Sequence, residues 1–344
     1  MDISDFDYEL PEELIAQVPL EERDASRMLV VDRKNHTWSD SCFSTFTQYL
    51  RSTDVVVINN TRVVPARLIG RRVPSGGRVE ILLVRELKPA VWEALVRPGV
   101  RLKRGSTVDF DAGRLTAEIL DEPGKELRQV QFFCDGSFGN ILEDIGLTPL
   151  PPYIKRPSGV SSQDRERYQT IFSRNPGAIA APTAGLHFSS RMLAEVRARA
   201  RVAEITLHVG YGTFEPVRVS DIRQHSVSAE RLQITEAAAQ LVNETKREGG
   251  RIIAIGTTTM RALESASTEQ GRLIPGDRDA QLTITPGYLF RIADALLTNF
   301  HLPRSSLLLL VSAFAGRNLV LEAYRHGVKK RYRFYSYGDC MLIL

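Results

Sequence analysis

Ala66-Arg-Leu-Ile-Gly-Arg-Arg72, Val79-Glu-Ile-Leu-Leu-Val84 and Val91-Trp-Glu-Ala-Leu-Val96 open a run of six short β-type segments, continued by residues 106–110, 114–119 and 129–133. Turn formers separate them: Ser75-Gly76-Gly77, Arg97-Pro98-Gly99, Asp111-Ala112-Gly113 and Glu122-Pro123-Gly124. Closely spaced strands joined by such turns predict a small antiparallel barrel or sandwich. Outward from this block the pattern changes. Apolar strands at 55–58, 178–181, 202–207 and 252–255 alternate with helical stretches, which is the signature of an α/β sheet. Thr235 is placed to cap, and Gly249 to stop, an amphipathic helix, and Ser189 or Ser190 to cap another over 192–199. The economical reading is a discontinuous α/β domain, residues 1–65 and 151–344, interrupted by an inserted antiparallel β-barrel domain over 66–150. Clustered prolines in Pro149-Leu-Pro-Pro-Tyr-Ile-Lys-Arg-Pro157 make a stiff return linker.

The 344 residues, 43% apolar and 25% charged, are enough for two cores. The acidic first residues do not form a basic leader followed by an apolar run, and no apolar run nears the roughly 20 residues that span a bilayer. A cytoplasmic protein with no membrane association is therefore expected. Cys42, Cys134 and Cys340 are too scattered for a disulfide framework, a zinc site or an iron–sulfur site, and no metal is expected. The net charge of +4 is compatible with a polyanionic partner without requiring one. No Walker loop, His-Glu-x-x-His, Gly-x-Ser-x-Gly or CxxC is present, so those common chemistries are disfavoured.

The polar segments fall at strand ends: Asn59-Asn-Thr-Arg62, Ala181-Pro-Thr-Ala-Gly-Leu-His-Phe188, Leu207-His-Val-Gly-Tyr-Gly-Thr-Phe214, Gly256-Thr-Thr-Thr-Met-Arg261 and Thr298-Asn-Phe-His-Leu-Pro303. In an open α/β sheet, ligands collect outside the carboxyl ends of strands, so these turns are the expected lining of one site. Candidate ligand contacts are Thr183, Gly185, Gly210, Gly212, Thr213, Thr257, Thr258, Thr259, Arg261 and Asn299. Backbone N–H groups at the start of the helix after Gly256 favour a carboxylate or phosphate, although a plain capping turn reads the same way. Gly210-Tyr-Gly212 lacks the third glycine and the following helix of a dinucleotide loop. His187, His208 and His301 are the candidate proton carriers, with Glu264 and Asp294 as carboxylate partners and Asp339 as a further acid. Helix capping or pairing with arginine is the competing explanation for each carboxylate. Basic clusters around Arg62, Arg67, Lys155, Arg156 and 329–333 either grip a phosphate backbone or form solvated faces.

These strings, together with Pro11-Glu-Glu-Leu-Ile-Ala-Gln17, Arg23-Asp-Ala-Ser-Arg27, Val311-Ser-Ala-Phe-Ala-Gly316 and Tyr332-Arg-Phe-Tyr-Ser-Tyr-Gly-Asp339, closely resemble the S-adenosylmethionine:tRNA ribosyltransferase-isomerase family along the whole chain. The resemblance implies an α/β domain with an inserted β-barrel. It also implies transfer of the ribosyl group of S-adenosylmethionine to 7-aminomethyl-7-deazaguanine at the tRNA wobble position, giving epoxyqueuosine, adenine and methionine. S-adenosylmethionine is then a substrate and no cofactor is implied. The partners are S-adenosylmethionine and tRNA, with Arg62, Arg67, Lys155, Arg156 and Arg304 as expected tRNA contacts and a monomer as the expected state. One departure stands out. The family usually carries a second histidine in His-x-Met-His-x-Glu, whereas this chain reads His225-Ser-Val-Ser-Ala-Glu230, with Ser228 in that place. His225 and Glu230 are accordingly weaker candidates. The rival classes are a non-catalytic tRNA-binding protein, which would release no adenine, and an ordinary methyltransferase, which would yield S-adenosylhomocysteine.

Overall fold

The structure is a computed structural model that describes residues 1–344 except Ser158, Glu215 and Pro216, and except the side chains of Thr213 and Phe214. A hairpin of β1 (Arg27–Asp32) and β2 (Thr37–Cys42) leads to β3 (Val55–Asn59) and the short β4 (Thr61–Val63). Six strands follow: β5 (Arg67–Val73), β6 (Arg78–Lys88), β7 (Val91–Arg97), β8 (Thr107–Phe110), β9 (Leu115–Ile119) and β10 (Arg128–Cys134). They close into an antiparallel barrel in the order β10-β7-β6-β5-β8-β9. Alternation drives this closure, because Val79, Ile81 and Leu83 of β6 are buried while the residues between them are partly exposed. Inside the barrel unit Arg128 is almost fully buried. Its guanidinium donates to Asp121 Oδ1 at 2.8 Å and to the carbonyls of Gly99 and Leu102, so the buried charge is paired and its donors are used.

Beyond the barrel come α1 (Phe138–Ile145), α2 (Ser162–Arg167) and β11 (Asn175–Ala178), the last paired with β4. The strand expected at 178–181 is therefore displaced. Only Ala178 is in a strand, and Ile179 to Ala181 form a buried bend, so their apolar character reflects packing rather than sheet pairing. The remainder is α3 (Ser190–Arg199), β12 (Arg201–Leu207), β13 (Glu230–Ile234), α4 (Glu236–Arg247), β14 (Ile252–Ile255), α5 (Thr257–Ser265), β15 (Gly276–Ala280), β16 (Ala295–Asn299), α6 (Ser306–Ala315), α7 (Arg317–Lys329) and β17 (Cys340–Ile343). Ser189 caps α3 by accepting from Met192 N, and Thr235 caps α4 by accepting from Ala238 N. Gly249, at φ +73°, takes the left-handed turn that follows α4.

Nine strands form one mixed sheet, in the order β15-β13-β12-β3-β14-β16-β17-β1-β2. Strands β3, β14, β16 and β17 are buried along their whole length, as expected for strands covered on both faces. One face, through Val56, Ile58, Ile253, Ile255 and Leu297, packs on Phe43, Phe46, Phe188 and Met192. Two compact units result. One comprises Met1–Arg62, Pro151–Lys155 and Gln169–Leu344; the other comprises Val63–Leu150 and Arg156–Tyr168. The return segment thus differs from a simple linker, because 156–168 packs with the barrel unit. It is held there by Arg165, which donates to the carbonyl of Glu143 at 3.0 Å and pairs with its carboxylate. No single described helix is long and apolar enough to cross a membrane, and α6 and α7 meet at a bend of 116°.

Candidate functional site

Topology decides which side chains can meet. Strands β12, β3, β14 and β16 run parallel to their neighbours in that series, so their carboxyl ends lie on one edge of the sheet. β13 and β17 run antiparallel to that set and β1 runs parallel to β17, so the amino ends of these three strands reach the same edge. Asn59, His208, Glu230, the Gly256 turn, Asn299, Asp339 and Ser26 are therefore gathered there from seven segments. This is the edge where open α/β sheets bind ligands.

Two clefts open beside this edge. The first is lined by Gly212, Ser228, Glu230, Thr257, Thr258 and Arg261, with Leu282, Ile284, Leu307 and Leu310 among its apolar walls. Its charged pair is buried: Arg261 donates to Glu230, whose other oxygen accepts from Gly210 N at 2.7 Å. Burial of both partners makes this pair costly to break from one side. The second cleft shares Gly212 and Val227 with the first and adds Arg218, Gln224 and His225. His225 Nε2 lies 2.7 Å from the hydroxyl of Ser306, the first residue of α6, which itself lines the first cleft. Burial holds the His225 imidazole below its ordinary pKa, so it is neutral at pH 7 with a lone pair to offer.

The three histidines singled out from sequence line neither cleft. His187 is buried between Ser26 and Asn299. Asn299 Nδ2 donates to Tyr335 O at 2.9 Å, which fixes the amide orientation and makes His187 Nε2, 3.3 Å away, an acceptor. Nδ1 therefore carries the proton toward Ser26 Oγ at 2.8 Å. Burial lowers the His187 pKa to about 4. His301 is likewise buried, with Nε2 2.9 Å from Thr298 Oγ1 and its pKa lowered to about 3 by desolvation. Tyr8 and Tyr324 hold its backbone, which marks it as a core residue. His208 is half-buried, bonded through Nδ1 to Thr61 Oγ1 at 2.8 Å, and its pKa is lowered by burial and by Arg231.

Of the expected ligand contacts, Gly212, Thr257, Thr258 and Arg261 come together in the first cleft, and Gly210 supports it through Glu230. Thr259 is turned inward, donating to Ile255 O at 2.6 Å. A Cβ at Gly185 would lie 2.7 Å from the Phe172 ring, so packing requires that glycine. Thr183 is half-buried in the same turn, Asn299 is committed to His187 and Tyr335, and the Thr213 side chain lies outside the described residues.

The carboxylates belong to the framework. Asp294 accepts from Ile252 N at 2.8 Å, at the amino ends of β16 and β14, which is the edge opposite the clefts. Its nearness in sequence to Asn299 misleads because one strand length, roughly 15 Å, separates the two edges. Asp339 accepts from Arg27 and from Arg333 N. Glu264 accepts from the amides of Arg291 at 2.8 Å, and of Ile292 and Ala293 at 3.0 Å each. Truncating it leaves three amides without an acceptor, so Glu264→Ala is expected to lose roughly 3–5 kcal/mol of unfolding free energy in urea titrations. A loss under about 1 kcal/mol would show that the 288–293 loop does not depend on it.

Among the expected tRNA contacts, Arg67 pairs with Glu80, Lys155 with Glu12, Arg156 with Asp164 and Arg304 with Asp7. Arg62 is exposed and, among the described residues, unpaired. Sequence reasoning missed Ser306, Thr283, Leu307 and Leu310. No chemical motif marks them, and only the return of α6 to the sheet edge makes them neighbours of the Gly256 turn.

Comparison with known proteins follows the same outline. The model of the queuosine biosynthesis protein family matches residues 3–343. S-adenosylmethionine:tRNA ribosyltransferase-isomerase of Pelotomaculum thermopropionicum is 50% identical, with 100% of both chains covered, and its namesake in Desulforamulus reducens is 46% identical at the same coverage. A crystal structure of S-adenosylmethionine tRNA ribosyltransferase from Thermotoga maritima, 36% identical, covers 99% of this chain and 100% of that one with a TM-score of 0.55. With the family model and these relatives aligned end to end, the chain belongs to the queuosine biosynthesis protein family.

Proposed function

We propose that this protein is an S-adenosylmethionine:tRNA ribosyltransferase-isomerase. It moves the ribosyl group of S-adenosylmethionine to 7-aminomethyl-7-deazaguanine at the tRNA wobble position and rearranges it to epoxyqueuosine. The observation that carries this reading is the 50% identity over the full length of a relative bearing that name. S-adenosylmethionine is consumed as a substrate, and the reaction needs no separate cofactor. The protein works as a cytoplasmic monomer, with Arg62 among its tRNA contacts and the α/β unit carrying the chemistry.

The sulfonium acidifies the adjacent ribose carbon, so the first demand is a base. His225 takes that proton in our reading, because it lines the second cleft and its ring is neutral at pH 7. Ring opening then expels adenine, which leaves with a proton. The aminomethyl nitrogen adds to the freed ring carbon and gives up a proton, the sulfonium-bearing carbon attacks the aldehyde left where adenine departed, and the resulting alkoxide closes the epoxide as methionine leaves. His187, Ser26 and Asn299 hold the neighbouring turns in register.

Purified protein incubated with S-adenosylmethionine and tRNA carrying the aminomethyl-deazaguanine base tests the reaction. Adenine, methionine and a nucleoside of epoxyqueuosine mass are expected. S-adenosylhomocysteine instead, or tRNA binding without adenine release, would overturn the assignment in favour of methyl transfer or of simple RNA binding.

A further inference from the structure

We infer that the first cleft is the seat of the amino-acid end of S-adenosylmethionine, its α-carboxylate held at the start of α5 and its α-ammonium facing Glu230. This inference rests on the ribosyltransferase reading for the identity of the ligand. Two helices of nine and ten residues, α5 and α6, bring their first turns to the same cleft through Thr257, Thr258, Ser306 and Leu307. Neither first turn contains an acidic residue, and α5 has no side-chain cap, so its leading N–H groups and their partial positive charge are open to an anion.

A second, independent observation points to a ligand. Thr257 is 6% exposed and lines the cleft, yet among the described residues its hydroxyl has no hydrogen-bond partner. The Thr258 hydroxyl beside it is buried and also unpartnered. A buried hydroxyl is nearly always satisfied, so the Thr258 orphan, with the cleft-lining Thr257 hydroxyl beside it, is a donor awaiting an acceptor at the helix start.

The rest of the wall separates an amino acid from a phosphate of the tRNA backbone. Arg261 and Glu230 present both charges within one buried pair. A zwitterion can meet each with its opposite, whereas a phosphate near Arg261 also meets the Glu230 carboxylate. Val227, Ile284, Leu307 and Leu310 supply the apolar surface that two methylenes and a thioether-like sulfur require. The seam at Gly212 and Val227, shared with the second cleft, then receives the sulfonium end, on the side where His225 stands.

Calorimetric titration of the full protein with S-adenosylmethionine and with its decarboxylated analogue tests this without tRNA or turnover. The wild-type protein is expected to bind the decarboxylated compound at least about tenfold more weakly, as for loss of a charge-assisted hydrogen bond. The double substitution Thr257→Val with Thr258→Val should weaken S-adenosylmethionine about tenfold and leave the analogue unchanged, while Thr258→Ser retains wild-type affinity. Thermal melts of these isosteric variants should match wild type, since the hydroxyls hold nothing in the unliganded fold. Undiminished S-adenosylmethionine affinity in the double variant would overturn the inference. So would a loss confined to tRNA or inorganic phosphate, which would make the site a phosphate grip. Adenine release, measured in parallel on the wild type, keeps the two readings apart. Release without carboxylate dependence sinks this site alone, and carboxylate-dependent binding without release sinks the ribosyl transfer alone.

Discussion

Replacing His225 with asparagine is expected to lower kcat about 10²- to 10⁴-fold while tRNA affinity stays at the wild-type level. The imidazole is the neutral base that lines the second cleft, and it is steadied by the Ser306 hydroxyl at 2.7 Å. Asparagine keeps a polar group of similar reach without a titrating lone pair, so positioning survives and proton transfer does not. The pH profile carries a second signature. The base must be unprotonated, and burial lowers its pKa below 6.5, so the acid limb of kcat/KM should fall below the ordinary imidazole range. In the variant that limb should vanish along with the rate. Turnover within about threefold of wild type would remove His225 from the chemistry and leave His208, half-buried at this edge, as the candidate base.

Stability should fall steeply as the pH drops from 6.5 toward 4, well before most carboxylates titrate. His187 and His301 accept protons near pH 6.5 in the unfolded chain, but only near 4 and 3 when folded. Throughout that window the unfolded state binds more protons, so the unfolding free energy declines with falling pH by roughly 1.4 kcal/mol per unit for each histidine. The contribution is fully present above 6.5 and is lost as pH approaches each folded value. His225 and His208, also shifted downward, add to the early part of the slope. Urea titrations at pH 7.0, 6.0 and 5.0 read this directly, and His301→Gln should flatten the dependence by about one histidine's share. A wild-type stability independent of pH over that range would show that neither ring is held neutral by burial.

The architecture was legible in the sequence because two hydrophobic periods coexist in it. Short strands with Gly and Pro turns specify the barrel, and all-apolar strands between capped helices specify the sheet. Ile179 to Ala181 escaped this logic, since a buried bend and a buried strand share the same apolar run. The site was legible only as a set of strand ends. Thr257, Thr258, Arg261 and Gly212 met as the topology of an open sheet requires, because each lies soon after the carboxyl end of β14 or β12. Polarity near a strand end does not say which way a side chain turns. Thr259 points back into its helix, and His187 and His301 are sealed behind aromatic rings and tyrosine hydroxyls. Nor does sequence distance reveal strand direction, which is why Asp294 stands at the far edge from Asn299. His225 ranked low because the familiar second histidine is absent three residues on, yet its own position depends on the start of α6, 81 residues away.

The place of β17 sets an order of events during synthesis. β17 lies between β16 and β1, and the Arg27 to Asp339 bonds that accompany it join residues 312 positions apart. At roughly 5–20 residues per second, the hairpin of β1 and β2 waits about 15–60 s on the ribosome with its inner edge open. The barrel unit, whose last described strand ends at Cys134 and whose last segment ends at Tyr168, has all its parts long before then. Translation thus delivers a finished barrel attached to an unfinished sheet, and the exposed edge of β1 is the surface that a nascent-chain chaperone would have to shield.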